Sequence, residues 1–169
     1  MANTFIKIST ITVGSGGTAS IDFTSIPATY TDLLVVASTQ TSRTGGVYAD
    51  NLAIQFNGSS ANLSLRGIEG SGSAAVSFTD TAIYGRTTSS LATSIFGSTS
   101  FYIPNYTSAN YKSVSVDSVA ELNAATQYMT LISGLWSNTA AITSIKLLAT
   151  TGPNLQQYSS ATLYGIKSS

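Results

Sequence analysis

A chain of 169 residues with formal net charge zero and neither histidine nor cysteine has no Ser-His-Asp triad, no Cys-His pair, no His-based metal site and no disulfide staple. Its seven Lys/Arg are scattered from Lys7 to Lys167 without a basic stripe, which argues against nucleic acid, and no apolar run has the length of a membrane span. Charged residues make up 8% against a norm of about 25%, while about three residues in ten are Ser or Thr, so hydroxyls do most of the solvating. The length suits one domain, residues 1–169, with a core sufficient for stability without staples.

Strand patterns dominate from the first residues onward. Phe5 to Val13 carries Ile6 and Ile8 on one phase and Ile11 and Val13 on the other, and a phase change inside a strand implies a β-bulge. Gly14-Ser15-Gly16-Gly17 reads as a turn, and Ala19, Ile21 and Phe23 alternate with polar residues, so residues 4–23 are expected to form a hairpin. Pro27 ends the pairing, because proline has no N–H to donate. Leu33 to Ala37 is continuously apolar and reads as a central strand buried on both faces. A polar loop is expected around Thr41 to Tyr48, then a strand through Leu52, Ile54 and Phe56 that stops at Asn57-Gly58.

Residues 58–100, rich in Gly, Ser and Thr, read as loops and short strands with the lowest order in the chain. Phe101 to Ile103 resumes a strand, broken at Pro104-Asn105. Lys112 to Ser118 alternates with Val114 and Val116 facing inward. Ser118-Val-Ala-Glu121 matches a capping box for one or two helical turns to about Ala125. Tyr128 to Trp136, Ile142 to Thr150 and Ala161 to Lys167 complete the strands. About eight to ten strands separated by turn chemistry predict an all-β fold, a jelly-roll-like antiparallel β-sandwich.

The inventory for chemistry is short. A Ser-Lys dyad would draw on Lys7, Lys112, Lys146 or Lys167, but serine is so common that adjacency carries no information. A pair of carboxylates would have to come from Asp22, Asp32, Asp50, Glu69, Asp80, Asp117 and Glu121. Asp22 and Asp117 sit on polar strand phases and Asp32 follows a turn, positions that solvation and local backbone bonding explain. Asp50-Asn51 is a conceivable part of a loop-built calcium site, without the spacing of a calcium loop. The expectation is no catalytic residue, no cofactor and no metal.

Tyrosine remains. Tyr48, Tyr84, Tyr102, Tyr106, Tyr111 and Tyr158 are the candidate interface or ligand contacts, because Tyr buries a ring while keeping its hydroxyl wet. Trp136, at a strand end, reads as core rather than as a ligand platform.

Four stretches carry a resemblance: Ile26-Pro-Ala-Thr-Tyr-Thr-Asp-Leu33, Asn105-Tyr106, Trp136 with Ala141-Ile142-Thr-Ser-Ile145, and Ser160-Ala-Thr-Leu-Tyr-Gly-Ile166. Together, in this order, they resemble small β-sandwich virion structural proteins of tailed bacteriophages, over about residues 20 to 167. The resemblance implies a capsid- or tail-fibre-associated part with no catalytic residues. Physically, Gly165 reads as a site where a neighbouring backbone approaches closely.

Low charge and abundant Tyr add the expectation of a surface covered by copies of itself or by a larger assembly. The function expected is a non-enzymatic capsid decoration or cement protein, a homotrimer on the major capsid protein. The alternative is a tail-fibre or receptor-binding module that grips host surface glycan with the loops in 41–50 and 58–100. Either would reside in the virion after assembly in the host cytoplasm, since MANTFIKIST carries no secretory signal pattern.

Overall fold

The computed structural model describes residues 4–45, 48–122 and 127–167. Its strands are β1 (Phe5–Thr12), β2 (Ser20–Phe23), β3 (Asp32–Thr39), β4 (Ala49–Phe56), β5 (Leu63–Gly70), β6 (Ala75–Asp80), β7 (Ile83–Thr88), β8 (Gly97–Ile103), β9 (Lys112–Ala120), β10 (Tyr128–Trp136), β11 (Ile145–Ala149) and β12 (Ser160–Ile166). They form two antiparallel sheets, one of eight strands in the order β1-β12-β3-β8-β9-β10-β5-β6 and one of four in the order β2-β11-β4-β7. Neither closes into a barrel, and the whole is a β-sandwich. Among the described residues twelve strands form where eight to ten were expected; the surplus comes from residues 58–100.

Period-two alternation sets the layers. In β9, Lys112, Val114, Val116, Ser118 and Ala120 are buried while every intervening residue is exposed. The large sheet contributes Leu33, Val35, Phe101, Ile132 and Leu163 to the core, and the small sheet contributes Ile21, Phe23, Ile54, Phe56 and Leu147. Phe56 and Trp136 meet across the layers with ring centroids 5.3 Å apart. Trp136 is therefore core, as its position suggested. β1 carries the expected bulge, a register shift between Lys7 and Ser9 that turns both Ile8 and Ile11 onto the core.

Several expectations give way. Residues 4–23 are not a hairpin: β1 pairs with β12 and β2 with β11, in different sheets. The turn, with positive φ at Gly16 and Gly17, carries the chain from one layer to the other. β3 is central in its sheet but buried on one face only, with Val36 exposed, because nothing among the described residues covers that sheet's outer side. Residues 58–100 hold loops and strands, as expected, but the strands, β5, β6, β7 and the start of β8, take more of the segment than its composition suggested, and Gly67, Gly85 and Gly97 sit where strands and layers crowd. Ser118 to Ala120 belong to β9 and not to a helix cap, and positions 123–126 of the expected helical turn lie outside the described residues. Gly165 is approached by a ring instead of a backbone. A Cβ built there would stand 2.3 Å from Cγ of Tyr30.

Candidate interaction surface

Because β10 buries Thr130, Ile132, Gly134 and Trp136, pleating sends Met129, Leu131 and Ser133 to the outer face of the large sheet. Register aligns them with neighbours. Leu131 lies opposite Ile68 on β5 and Asp117 on β9; Met129 lies opposite Gly70 and Val119. Ile68, Leu131, Met129 and Val119 are 59%, 58%, 64% and 44% exposed. They line a shallow groove of about 440 Å³, with Asp117 among the lining residues. A smaller groove of about 200 Å³ continues past Met129 to Tyr128 and Gly72. Folding does not explain four adjacent large apolar side chains facing water, and contiguous patches of this kind mark contact surfaces.

Charge beneath the groove is neutralised. Glu69 is nearly buried and accepts from Nε of Arg86 at 2.5 Å. Arg86 also donates to Asn51 Oδ1 at 2.8 Å and lies 4.7 Å over the Tyr128 ring. Its backbone N–H bonds Oγ of Ser118 at 2.7 Å, tying β7 to the underside of β9. The floor is thus a cross-layer network, fixed before any partner arrives.

The six candidate tyrosines do not gather. Tyr106 is fully buried, its hydroxyl donating to Pro27 O, and burial raises its pKa. Tyr84 is also buried, stacked on Phe78, with its pKa raised by burial and by Asp80. Both are packing residues in this fold. The other four are exposed, at opposite ends. Tyr48 and Tyr158 sit on loops at the end where β3 finishes; Tyr102 and Tyr111 lie toward the end where β3 begins. Tyr102 donates to Asp32 Oδ2 at 2.8 Å, and that bond, ahead of burial, raises its pKa. Reading tyrosine by type found exposed rings but missed the aliphatic groove. The usable signal was in β10 and β5, where large apolar residues occupy both strand phases.

Most of the polar groups considered for chemistry have structural partners. Asp50 is fully buried: Oδ2 accepts from Thr41 Oγ1 at 2.9 Å and from the Gly152 N–H at 2.8 Å, and Oδ1 from the Asn51 N–H at 2.8 Å. It latches the loops around 41 and 152 together. Asp22 pairs with Lys146 at 3.5 Å, and Asp32 also accepts from the Asn105 N–H at 2.9 Å. Lys112 is buried, with Nζ donating to the carbonyls of Ser108 at 2.6 Å and Ala140 at 2.7 Å beneath Trp136. Burial pushes its pKa down. Among the described residues, no three His/Cys/Asp/Glu side chains come together as a metal site.

The four stretches singled out in the sequence converge at one end of the sandwich. Tyr106 reaches Pro27, the Ile142 N–H bonds Tyr106 O at 3.0 Å, the Ile26 N–H bonds Thr143 O at 3.0 Å, and the Thr31 N–H bonds Ile166 O at 2.8 Å. With Tyr30 on Gly165, they seal that end of the core. No protein family, curated protein or solved structure matches this chain.

Proposed function

We propose that this chain is a non-enzymatic virion structural protein of a tailed bacteriophage, a decoration or cement subunit that coats the head. The observation that carries the docking part is the exposed apolar groove formed by Ile68, Val119, Met129 and Leu131 on a sheet face that folding leaves open. The low charge supports it, since a surface with few ions is cheap to desolvate against a partner. The virion part rests on the sequence resemblance. In this reading the groove faces the major capsid protein. Each contact is modest, and repetition over the lattice supplies avidity.

The experiment is to add purified chain to particles lacking it and measure binding and copy number by quantitative mass spectrometry. Saturable binding at on the order of hundreds of copies per particle is expected for a head lattice. Leu131→Asp combined with Ile68→Asp should abolish it while the far-ultraviolet circular dichroism stays unchanged. Failure of the wild-type chain to bind particles overturns the proposal.

A second reading, a tail-fibre module gripping surface glycan, is favoured by one observation: Tyr48 and Tyr158 are exposed on loops at the same end of the sandwich. A few copies per virion, with glycan-array binding lost on Tyr158→Ala, would select it.

A further inference from the structure

The four sheet edges are not equally defended. β1 carries a bulge and Lys7; β2 has four residues, with Asp22 paired to Lys146; β7 is buried along its length and tied to β9. These are the usual devices against edge pairing. β6 (Ala75–Asp80) has the weakest of them, a single charge, Asp80, at its last residue. It runs six residues with no bulge in its ladder, no Lys and no Pro, and among the described residues it pairs on one side only, with β5.

Its hydrogen-bond phase is fixed by the hairpin that precedes it. The Ser71 N–H bonds Ala74 O at 2.9 Å. In an antiparallel ladder, bonded and non-bonded pairs alternate, so Val76, Phe78 and Asp80 direct their backbone groups to β5. Ala75, Ser77 and Thr79 direct theirs to the open edge.

We propose that β6 is a self-association edge, pairing antiparallel with β6 of a second copy about a twofold axis at Ser77. The register decides for a copy of this chain over an unrelated strand. Centred on Ser77, Ala75 faces the partner's Thr79, and all three outward residues each donate one backbone bond and accept one. The intervening pair is Val76 with the partner's Phe78, a β-branched and aromatic pair at a non-bonded position, where side chains lie closest. Val76 is 53% exposed in the single chain, beside Phe78, which already stacks on Tyr84 at 6.2 Å. Asp80, the only charge on the strand, falls opposite the partner's Ala74, so no like charges meet. Shifting the centre to Phe78 sets Asp80 against Val76, and shifting it to Val76 leaves Phe78 opposite Ala74. The Ser77 centre alone satisfies both the backbone and the side chains.

The product is a continuous sixteen-stranded sheet in which the two apolar grooves lie on one face, related by the twofold. The inference does not rest on the virion reading. It also departs from the homotrimer expected from the sequence, because a threefold ring needs a head-to-tail contact that a twofold seam cannot supply.

The test uses the absence of native cysteine. Ser77→Cys in the full chain, under mild oxidation, should give a disulfide-linked dimer nearly quantitatively, since paired Cα atoms on neighbouring antiparallel strands stand about 5.5 Å apart, within disulfide reach. Thr10→Cys on β1 should stay monomeric. In sedimentation equilibrium the wild type should dimerise, and Ser77→Pro should raise the dimer Kd at least about 100-fold, since it removes outward N–H groups at the axis without touching the β5 ladder. A wild type that is monomeric with Ser77→Cys unlinked overturns the proposal. So does a dimer that survives Ser77→Pro and is instead broken by Leu131→Asp, which would place the contact on the groove.

Discussion

The outer face of the large sheet has two halves with the same pleat, the same antiparallel pairing and similar exposure, yet different chemistry. Over β1, β12, β3 and β8 hydroxyls predominate, with Thr10 opposite Thr162, their Oγ1 atoms 3.0 Å apart, and Ser38 between Ser160 and Ser98; its exposed large apolar side chains, Phe5 and Val36, stand on strands that are not neighbours. Over β9, β10 and β5 it is aliphatic: Val119, Leu131, Met129 and Ile68. Behind the first half the inner face is mostly apolar, while behind the second it also carries buried Glu69, Ser118 and Thr130. The hydroxyl half shows that this fold tolerates a polar outer face, so the aliphatic half is not a requirement of folding. That difference makes the groove, and not the exposed tyrosines, the main candidate for contact.

The largest effect should separate inner from outer. Phe101→Ala, on the buried phase of β8, should cost about 3–5 kcal/mol by urea unfolding, while its neighbour Ser100→Ala should be nearly neutral. Equal costs would mean that the layers are misassigned. Converting the aliphatic half into the hydroxyl half, with Ile68→Thr, Val119→Thr, Leu131→Thr and Met129→Ser together, should cost only about 1–2 kcal/mol yet eliminate particle binding. Retained binding would break the comparison outright.

Tyr106→Phe removes the hydroxyl bonded to Pro27 and should cost about 1 kcal/mol at neutral pH. It should also change the alkaline limb. A tyrosine whose folded pKa is raised above 10.0 gives stability that is complete below pH 10 and lost as pH rises through the folded value. Tyr84 and Tyr102 act in the same direction. Lys112, lowered from 10.5, opposes them, because the cost of its buried charge is relieved as pH rises. Stability measured from pH 9 to 11.5 should fall in the wild type and fall less steeply in Tyr106→Phe. The smallest effect should be Asp117→Asn, beside Leu131. It should alter stability by less than about 0.5 kcal/mol and tighten docking slightly by removing a charge from the groove. A large loss of binding would mean that Asp117 is itself a contact.

Some of this was legible in the residues and some was not. The alternation in Lys112 to Ser118 placed Val114 and Val116 inside correctly, and the phase change in Phe5 to Val13 marked the bulge. Leu33 to Ala37 misled, because a run of apolar residues has the same appearance whether one face is covered or two. In residues 58–100 strands and loops were both legible, but the part played by glycine was not. Gly67 and Gly85 there are packed under Phe78 and against Thr99, so at these positions glycine served close approach between strands and layers and not looseness. The tyrosines show the same limit: Tyr106 and Tyr111 are five residues apart, one sealed in the core and one in water.

By itself the sequence determined the all-β class, the positions of most strands, and the narrowness of the chemical inventory, because these depend on local periodicity and residue type. Only the tertiary structure decided which strands are neighbours, and so that Leu131, Ile68, Met129 and Val119 form one surface and that β6 is an open edge. Each strand carries two faces and two edges, and whether another strand covers them depends on residues distant in sequence, whose pairing no local pattern specifies.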